Sequence, residues 1–154
     1  MQIELLKRYV KQPLHINQLQ FSIPVSNMVA SGLEVNMTSD GASDRDGSIL
    51  DYSRLHDMTI QAWSPFQMPN WQGCFIDSDK YPKLNEELQS LAEQYGVSKT
   101  TIATAWILRH PAKMQVVTGT ASEARLAEIM KAEEITLTRQ EWYRLYLAAG
   151  HILP

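Results

Sequence analysis

The chain has 154 residues, of which 44% are hydrophobic and 20% charged, with a mean hydropathy of −0.27. That length and composition can bury a real core, and they exclude disorder as a whole-chain description. A net charge of −3 and a pI near 5.8 give no basic surplus for nucleic acid. The single cysteine, Cys74, excludes an internal disulfide and a cysteine-rich zinc site, and it fits a reducing compartment.

The first ten residues read as a helix, with Ile3, Leu6 and Val10 on one face and Leu5 and Tyr9 beside them. It ends before Pro13 and opens without a capping residue, as a helix entered part-way does. Its apolar residues alternate with charge, so it does not read as a signal peptide. Residues 14–21 form a short strand with Leu14, Ile16, Leu19 and Phe21. Residues 22–47 lack periodicity and are rich in Ser, Asn, Asp and Gly, which predicts a long loop. Ile49, Tyr52 and Leu55 then mark a short helix, and residues 58–63 a second strand that Ser64-Pro65 stops. A further loop runs to Pro82.

Leu84, Leu88, Leu91 and Tyr95 define an amphipathic helix ended by Gly96. Ser98 caps the next, which carries Ile102, Ala105, Trp106 and Arg109 up to Pro111. Residues 115–118 form a third strand centred on Val116-Val117, with a turn at Gly119-Thr120. Ser122 caps a helix bearing Leu126, Ile129 and Met130. Thr138 and Glu141 form a capping box for a last helix with Trp142, Leu145, Tyr146 and Ala149, closed by Gly150. The longest apolar stretch, residues 102–108 interrupted by Thr104, is far short of the ~20 residues a membrane helix needs, so the cytoplasm is the expected location.

Strands alternating with helices predict right-handed βαβ units and a parallel sheet. Three strands leave two open edges, so either a partner adds strands or the chain is part of something larger.

The ends of the three strands carry Asn17-Gln18, Ala62-Trp63-Ser64-Pro65, and Val117-Thr118-Gly119-Thr120 with Arg125 five residues on. In this order they resemble the C-terminal part of an aldo-keto reductase. So do Leu50-Asp51-Tyr52 with His56, the segments 82–84 and 92–96, and residues 102–111. The resemblance covers essentially all of residues 1–154. It implies a partial (β/α)8 TIM barrel, an α/β fold with about three parallel strands and flanking helices. A complete barrel takes ~250 residues, with its active site at the C-terminal ends of the strands.

The resemblance implies an NADP(H) cofactor. Gln18 would bond the nicotinamide carboxamide, and Trp63 would stack on the nicotinamide ring. Ser64 and Phe66 would line the pyrophosphate and ribose region. Gly119 and Thr120 would meet the adenosine-side phosphates, Arg125 the 2′-phosphate, and Glu128 the adenine. Two positions depart from the family pattern: many members have Lys where Gly119 stands and Asn where Ile129 stands. Preference for NADP over NAD therefore rests mainly on Arg125.

The family's catalytic Asp, Tyr, Lys and His, and a Ser-Asn pair that grips the carboxamide, belong to earlier strands. The resemblance thus implies that this chain keeps the cofactor side alone and is inactive by itself, because carbonyl reduction needs a positioned acid as well as hydride. The complete enzyme would reduce aldehydes or ketones. The alternative is a non-catalytic assembly module that completes its sheet with a second copy or with an N-terminal half. A third option is a remodelled fold whose site has decayed.

Residue type alone supports plainer roles. Trp63 at a strand end is ordinarily core, Gln18 an ordinary buried amide, and Arg125 a solvated surface residue. His15, His56, His110 and His151 show no metal-ligand spacing. Cys74 reads as a partly buried thiol without a nucleophile's partner. The acid-rich residues 40–51 lack the spaced pattern of a calcium loop. The aromatics at 71–75 could line a pocket, form a lid or cover the barrel rim.

Overall fold

The computed structural model describes residues 2–34, 40–43 and 47–153. Its centre is a parallel sheet of β1 (Ile16–Gln20), β2 (Thr59–Trp63) and β3 (Gln115–Val117), in the order β1-β2-β3. The register pairs Gln18 with Gln61 and Gln61 with Gln115. Period-two alternation then decides what each face does. On β2, Ile60 and Ala62 are fully buried under the helices. Thr59, Gln61 and Trp63 lie on the other face and are only partly covered.

Helices α1 (Gln2–Lys7), α2 (Asn27–Leu33), α3 (Ile49–Leu55), α4 (Pro82–Tyr95), α5 (Lys99–Leu108), α6 (Glu123–Met130) and α7 (Arg139–Ala148) complete the described elements, with short 3-10 turns at Asp40–Ala42, Pro69–Trp71 and Lys131–Glu134. Helix α5 is buried at every position from Thr101 to Ile107. An apolar surface on all sides makes it the centre of the helical layer. Trp106 and Trp142 of α7 stack with ring centroids 4.7 Å apart, 7° from parallel. Leu84, Leu88 and Leu91 fill the seam of α4 as the spacing predicts. Gly96 ends that helix at φ 67°, a conformation that favours glycine. The predicted caps at Ser98 and Ser122 are present, and so is the capping box at Thr138.

Several expectations are corrected. Residues 22–47 are not one long loop: α2 lies within them and buries Met28, Val29 and Ala30. Its two turns are too short for a recurring apolar face, and its Ser26 N-cap makes no side-chain capping bond. The first helix stops at Lys7 and buries nothing, with Leu5 57% and Leu6 48% exposed. The apolar residues that suggested ten helical positions have no covering layer there. Strand β1 excludes Leu14 and Phe21, but Phe21 and Ile23 follow it directly into the core. Of the acid-rich segment, Asp44 and Asp46 lie outside the described residues, Asp40 opens a 3-10 turn and Asp51 belongs to α3. Among the described residues no helix is long and apolar enough to cross a membrane.

Candidate functional site

The three parallel strands end on the same side of the sheet, and the segments that leave β2 and β3, with the starts of α5 and α6, build a groove of about 720 Å³. Its walls include Pro65 and Phe66 after β2, Thr118, Gly119 and Thr120 after β3, and Arg125, Glu128 and Ile129 on α6. Hydroxyl-to-backbone bonds set the turn after β3. The Thr120 N–H donates to Thr118 Oγ1 at 3.2 Å, and the Ser122 N–H donates to Thr120 Oγ1 at 3.2 Å. The Ser122 hydroxyl accepts the Arg125 N–H as the cap of α6. A Cβ added at Gly119 would meet nothing within 4 Å. Glycine there leaves that space open.

The charges in this groove are unevenly matched. Asp77 is paired with Lys99, and Glu128 with Lys131. The Lys131 bond holds the Glu128 carboxyl below its ordinary range, and Ser98 adds a hydrogen bond. Arg125 makes no ion pair among the described residues. A guanidinium beside a helix N-terminus, with the groove carboxylates Asp77 and Glu128 already engaged, is suited to an anion brought by a ligand.

Phe66, Gly119, Thr120, Arg125 and Glu128 thus share one groove. Gln18, Trp63 and Ser64 do not line it. The Gln18 amide donates to Gln61 Oε1 at 3.4 Å, and Gln61 donates to Gln115 Oε1 at 3.1 Å. This ladder runs across the uncovered sheet face. Trp63 stacks on Trp71 with centroids 5.5 Å apart. Ser64 turns the chain at φ 51°, a strained value for a residue with a side chain. Its carbonyl accepts the Gln67 N–H at 3.0 Å, and the strand-to-loop turn so closed carries Phe66 to the groove.

Sequence reasoning gave no site role to Cys74, Ile76, Asp77, Ser98 and Thr100, which also line the groove. The first three come from the loop after β2, where no periodicity marks a wall. Cys74 is exposed rather than partly buried, and it forms an antiparallel bridge with Gln67. Desolvation by its neighbours still raises its thiol pKa. The aromatics at 71–75 divide: Phe75 is fully buried in the core, whereas Trp71 is 70% exposed.

A sequence model of the Aldo/keto reductase family matches residues 10–147. The chain belongs to this family. It is 32% identical over 125 residues to the "6-dehydroglucose reductase" of Agrobacterium fabrum, a match covering 80% of this chain and 39% of that protein. It is 27% identical over 140 residues to "Oxidoreductase YdhF" of Escherichia coli, covering 90% of this chain and 43% of that one. The curated relatives are matched over only 34% to 46% of their own length. Solved structures share the fold. The thermostable aldo-keto reductase Tm1743, solved with the inhibitor epalrestat, superposes with a TM-score of 0.61 at 23% identity, over 95% of this chain and 44% of its own. A mutant of Gox0644 in complex with NADPH does so at 0.61 and 12% identity, over 94% of this chain and 41% of its own. The fold is therefore α/β, and its three parallel strands are consistent with part of a TIM barrel.

Proposed function

We propose that this chain carries the NADP(H)-binding side of an aldo-keto reductase barrel, whose complete form reduces an aldehyde or ketone to an alcohol. The observation that carries the reading is Arg125, without an ion pair among the described residues and set beside the Gly119-Thr120 turn at the C-terminal end of the sheet. The open groove fits a phosphate-bearing cofactor in charge and position. Bound there, the cofactor supplies hydride to a carbonyl carbon.

The chain's own residues bind and orient. Arg125 pairs with a phosphate through its planar fork, and Thr120 and the start of α6 offer donors to a second one. Trp63 presents an aromatic platform, and the Gln18 amide can exchange its Gln61 partner for a carboxamide. The reading assigns no proton donor to this chain, so by itself it does not turn over, and without the barrel's earlier strands it binds NADPH weakly. An oxidised hexose is the first substrate to try with a complete barrel, since two relatives are named 6-dehydroglucose reductases. The cytoplasm, where NADPH is held, is the proposed location.

Titration with NADPH and NADH, followed by cofactor fluorescence, tests the reading. Arg125→Ala weakens NADPH binding about tenfold, as loss of a charge-assisted contact does, and leaves NADH unchanged. Equal effects on both cofactors would refute the role of Arg125. Reduction of 4-nitrobenzaldehyde at rates typical of an enzyme would refute the inactivity of the isolated chain.

One observation favours a second role. Among the described residues, strands β1 and β3 each pair on one side only, and Ile16 on β1 is 56% exposed. Unpaired edges are templates for further strands. In this reading the chain completes its sheet with another polypeptide. Light scattering decides: a monomer at all concentrations, unchanged by an added N-terminal half-barrel, rules it out.

A further inference from the structure

At the opposite end of the sheet, where β3 begins rather than ends, a second cavity of about 310 Å³ lies between α2, the end of α5 and the start of α7. Val29 and Leu33 form one wall, and Trp142 and Tyr143 another. The two rings meet edge to face, 5.1 Å apart and at 83°, which makes an aromatic corner rather than a flat surface. The polar lining is entirely basic or neutral: Arg109, His110 and Arg139.

Each polar group has donor capacity to spare. The Arg109 Nε–H donates to the Leu137 carbonyl at 2.8 Å, which fixes the side chain and leaves its terminal nitrogens free. Arg139 lies over the Tyr143 ring at 5.7 Å. Neither makes an ion pair among the described residues. The Ala112 N–H donates to His110 Nδ1 at 3.2 Å, so Nδ1 is unprotonated and the neutral ring carries its proton on Nε2. Nε2–H has no acceptor among the described residues. Three donor groups, two of them on exposed arginines, therefore line an aromatic and aliphatic cavity in a chain whose net charge is −3.

We infer that this cavity binds a small, flat organic monocarboxylate. The apolar walls take its ring, and Arg109, Arg139 and His110 Nε2–H take its carboxylate. The apolar walls with a few convergent polar groups, and the volume, are those of a small-molecule site. The cavity lies at the far end of the sheet from the groove beside Arg125, so the site stands whether or not that groove holds a nicotinamide cofactor.

The probe is benzoate, added to the full chain carrying 15N-labelled tryptophan and read at the indole N–H signals. Arg139→Gln is the variant, because it removes a charge without touching the Arg109–Leu137 bond. Benzoate should shift the Trp142 signal saturably and leave Trp63 in place. The Arg139→Gln protein should bind at least tenfold more weakly. Benzamide, which has the ring without the charge, and inorganic phosphate, which has charge without the ring, should each bind at least tenfold more weakly than benzoate. A Trp142 signal that does not move, equal affinity in the variant, or phosphate binding as well as benzoate would overturn the inference.

Discussion

The rings of Trp63 and Trp71 stack 5.5 Å apart at 25°, so the strand end that resembles a nicotinamide platform already carries an aromatic on one face. Trp71 holds this position with φ at 59°, next to Asn70 at 56°. A bulky residue in that region is strained by ~1–3 kcal/mol, and the stack recovers about 1 kcal/mol. Trp71→Gly removes both. The expected result is a melting temperature within a few degrees of the parent, because Trp71 is 70% exposed, with loss of the coupled-indole signal in near-UV circular dichroism. NADPH binds the variant at least as tightly as the parent, since a platform face has been freed. Weaker binding would show that Trp71 belongs to the site instead of competing for it.

Trp106 and Trp142 are joined differently. The Trp106 Nε1–H donates to the Trp142 carbonyl at 3.1 Å, and the Trp142 Nε1–H donates to the Trp106 carbonyl at 3.0 Å. Both rings are buried, so each donor is satisfied only by the other residue's backbone. Trp106→Phe keeps most of the stack but orphans one bond, at a cost of about 1–3 kcal/mol. Trp106→Ala adds a cavity and costs ~3–5 kcal/mol. Chemical denaturation measures both, and equal losses in the two variants would mean that the stacked ring contributes nothing beyond the hydrogen bond.

The residues of this pair also show what the sequence could reveal. Trp106 sits in a run that is apolar on every side, so a buried helix was legible. Thr138 and Glu141 announce α7 by capping chemistry that is entirely local. Met28, Val29 and Ala30 are buried as well, but seven residues of helix carry too little periodicity to stand out from a loop. The site divides in the same way. Gly119, Thr120 and Arg125 are close in the chain, and their grouping could be read along it. The glutamine ladder of Gln18, Gln61 and Gln115 depends on strand register, which the sequence does not display. The same holds for Trp71 reaching Trp63, because a loop with two consecutive residues at positive φ has no sequence signature.

Glu141 links the last helix to α4. It accepts the Thr138 N–H and hydroxyl, the Gln94 amide and the Tyr95 hydroxyl, all between 2.7 and 2.9 Å. Burial pushes its carboxyl pKa up, but the bonds from Thr138, Tyr95 and Gln94 outweigh it and the net direction is down. A carboxylate lowered by folding stabilises the protein above its unfolded value, and that stability is lost as pH falls through the folded value. Glu141→Gln keeps the shape and loses the charge. It should cost about 2 kcal/mol at pH 7 and little below the carboxylate range. A difference from the parent that stayed constant from pH 7 to pH 3 would contradict this account.

His110 and His151 act in a neighbouring pH window. Burial lowers His110 to about 4, helped by the nearby Arg54 charge. Burial also lowers His151, against the opposing effects of the Ile23 carbonyl, which accepts from Nε2 at 2.8 Å, and of Glu34. Both rings stay neutral in the folded chain at a pH where the unfolded chain protonates them. Their contribution is complete above the unfolded value of about 6.5 and declines as pH falls from there to the folded values. For His110 the decline from pH 7 to pH 4 is about 2 kcal/mol once solvent screening of the half-buried ring is allowed for. His110→Gln should therefore flatten the stability profile between pH 6.5 and 4, and His151→Gln should also reduce its slope below pH 6.5. Denaturation midpoints at half-unit pH steps measure the slope. A His110→Gln profile as steep as the parent's would place the acid sensitivity of the fold elsewhere.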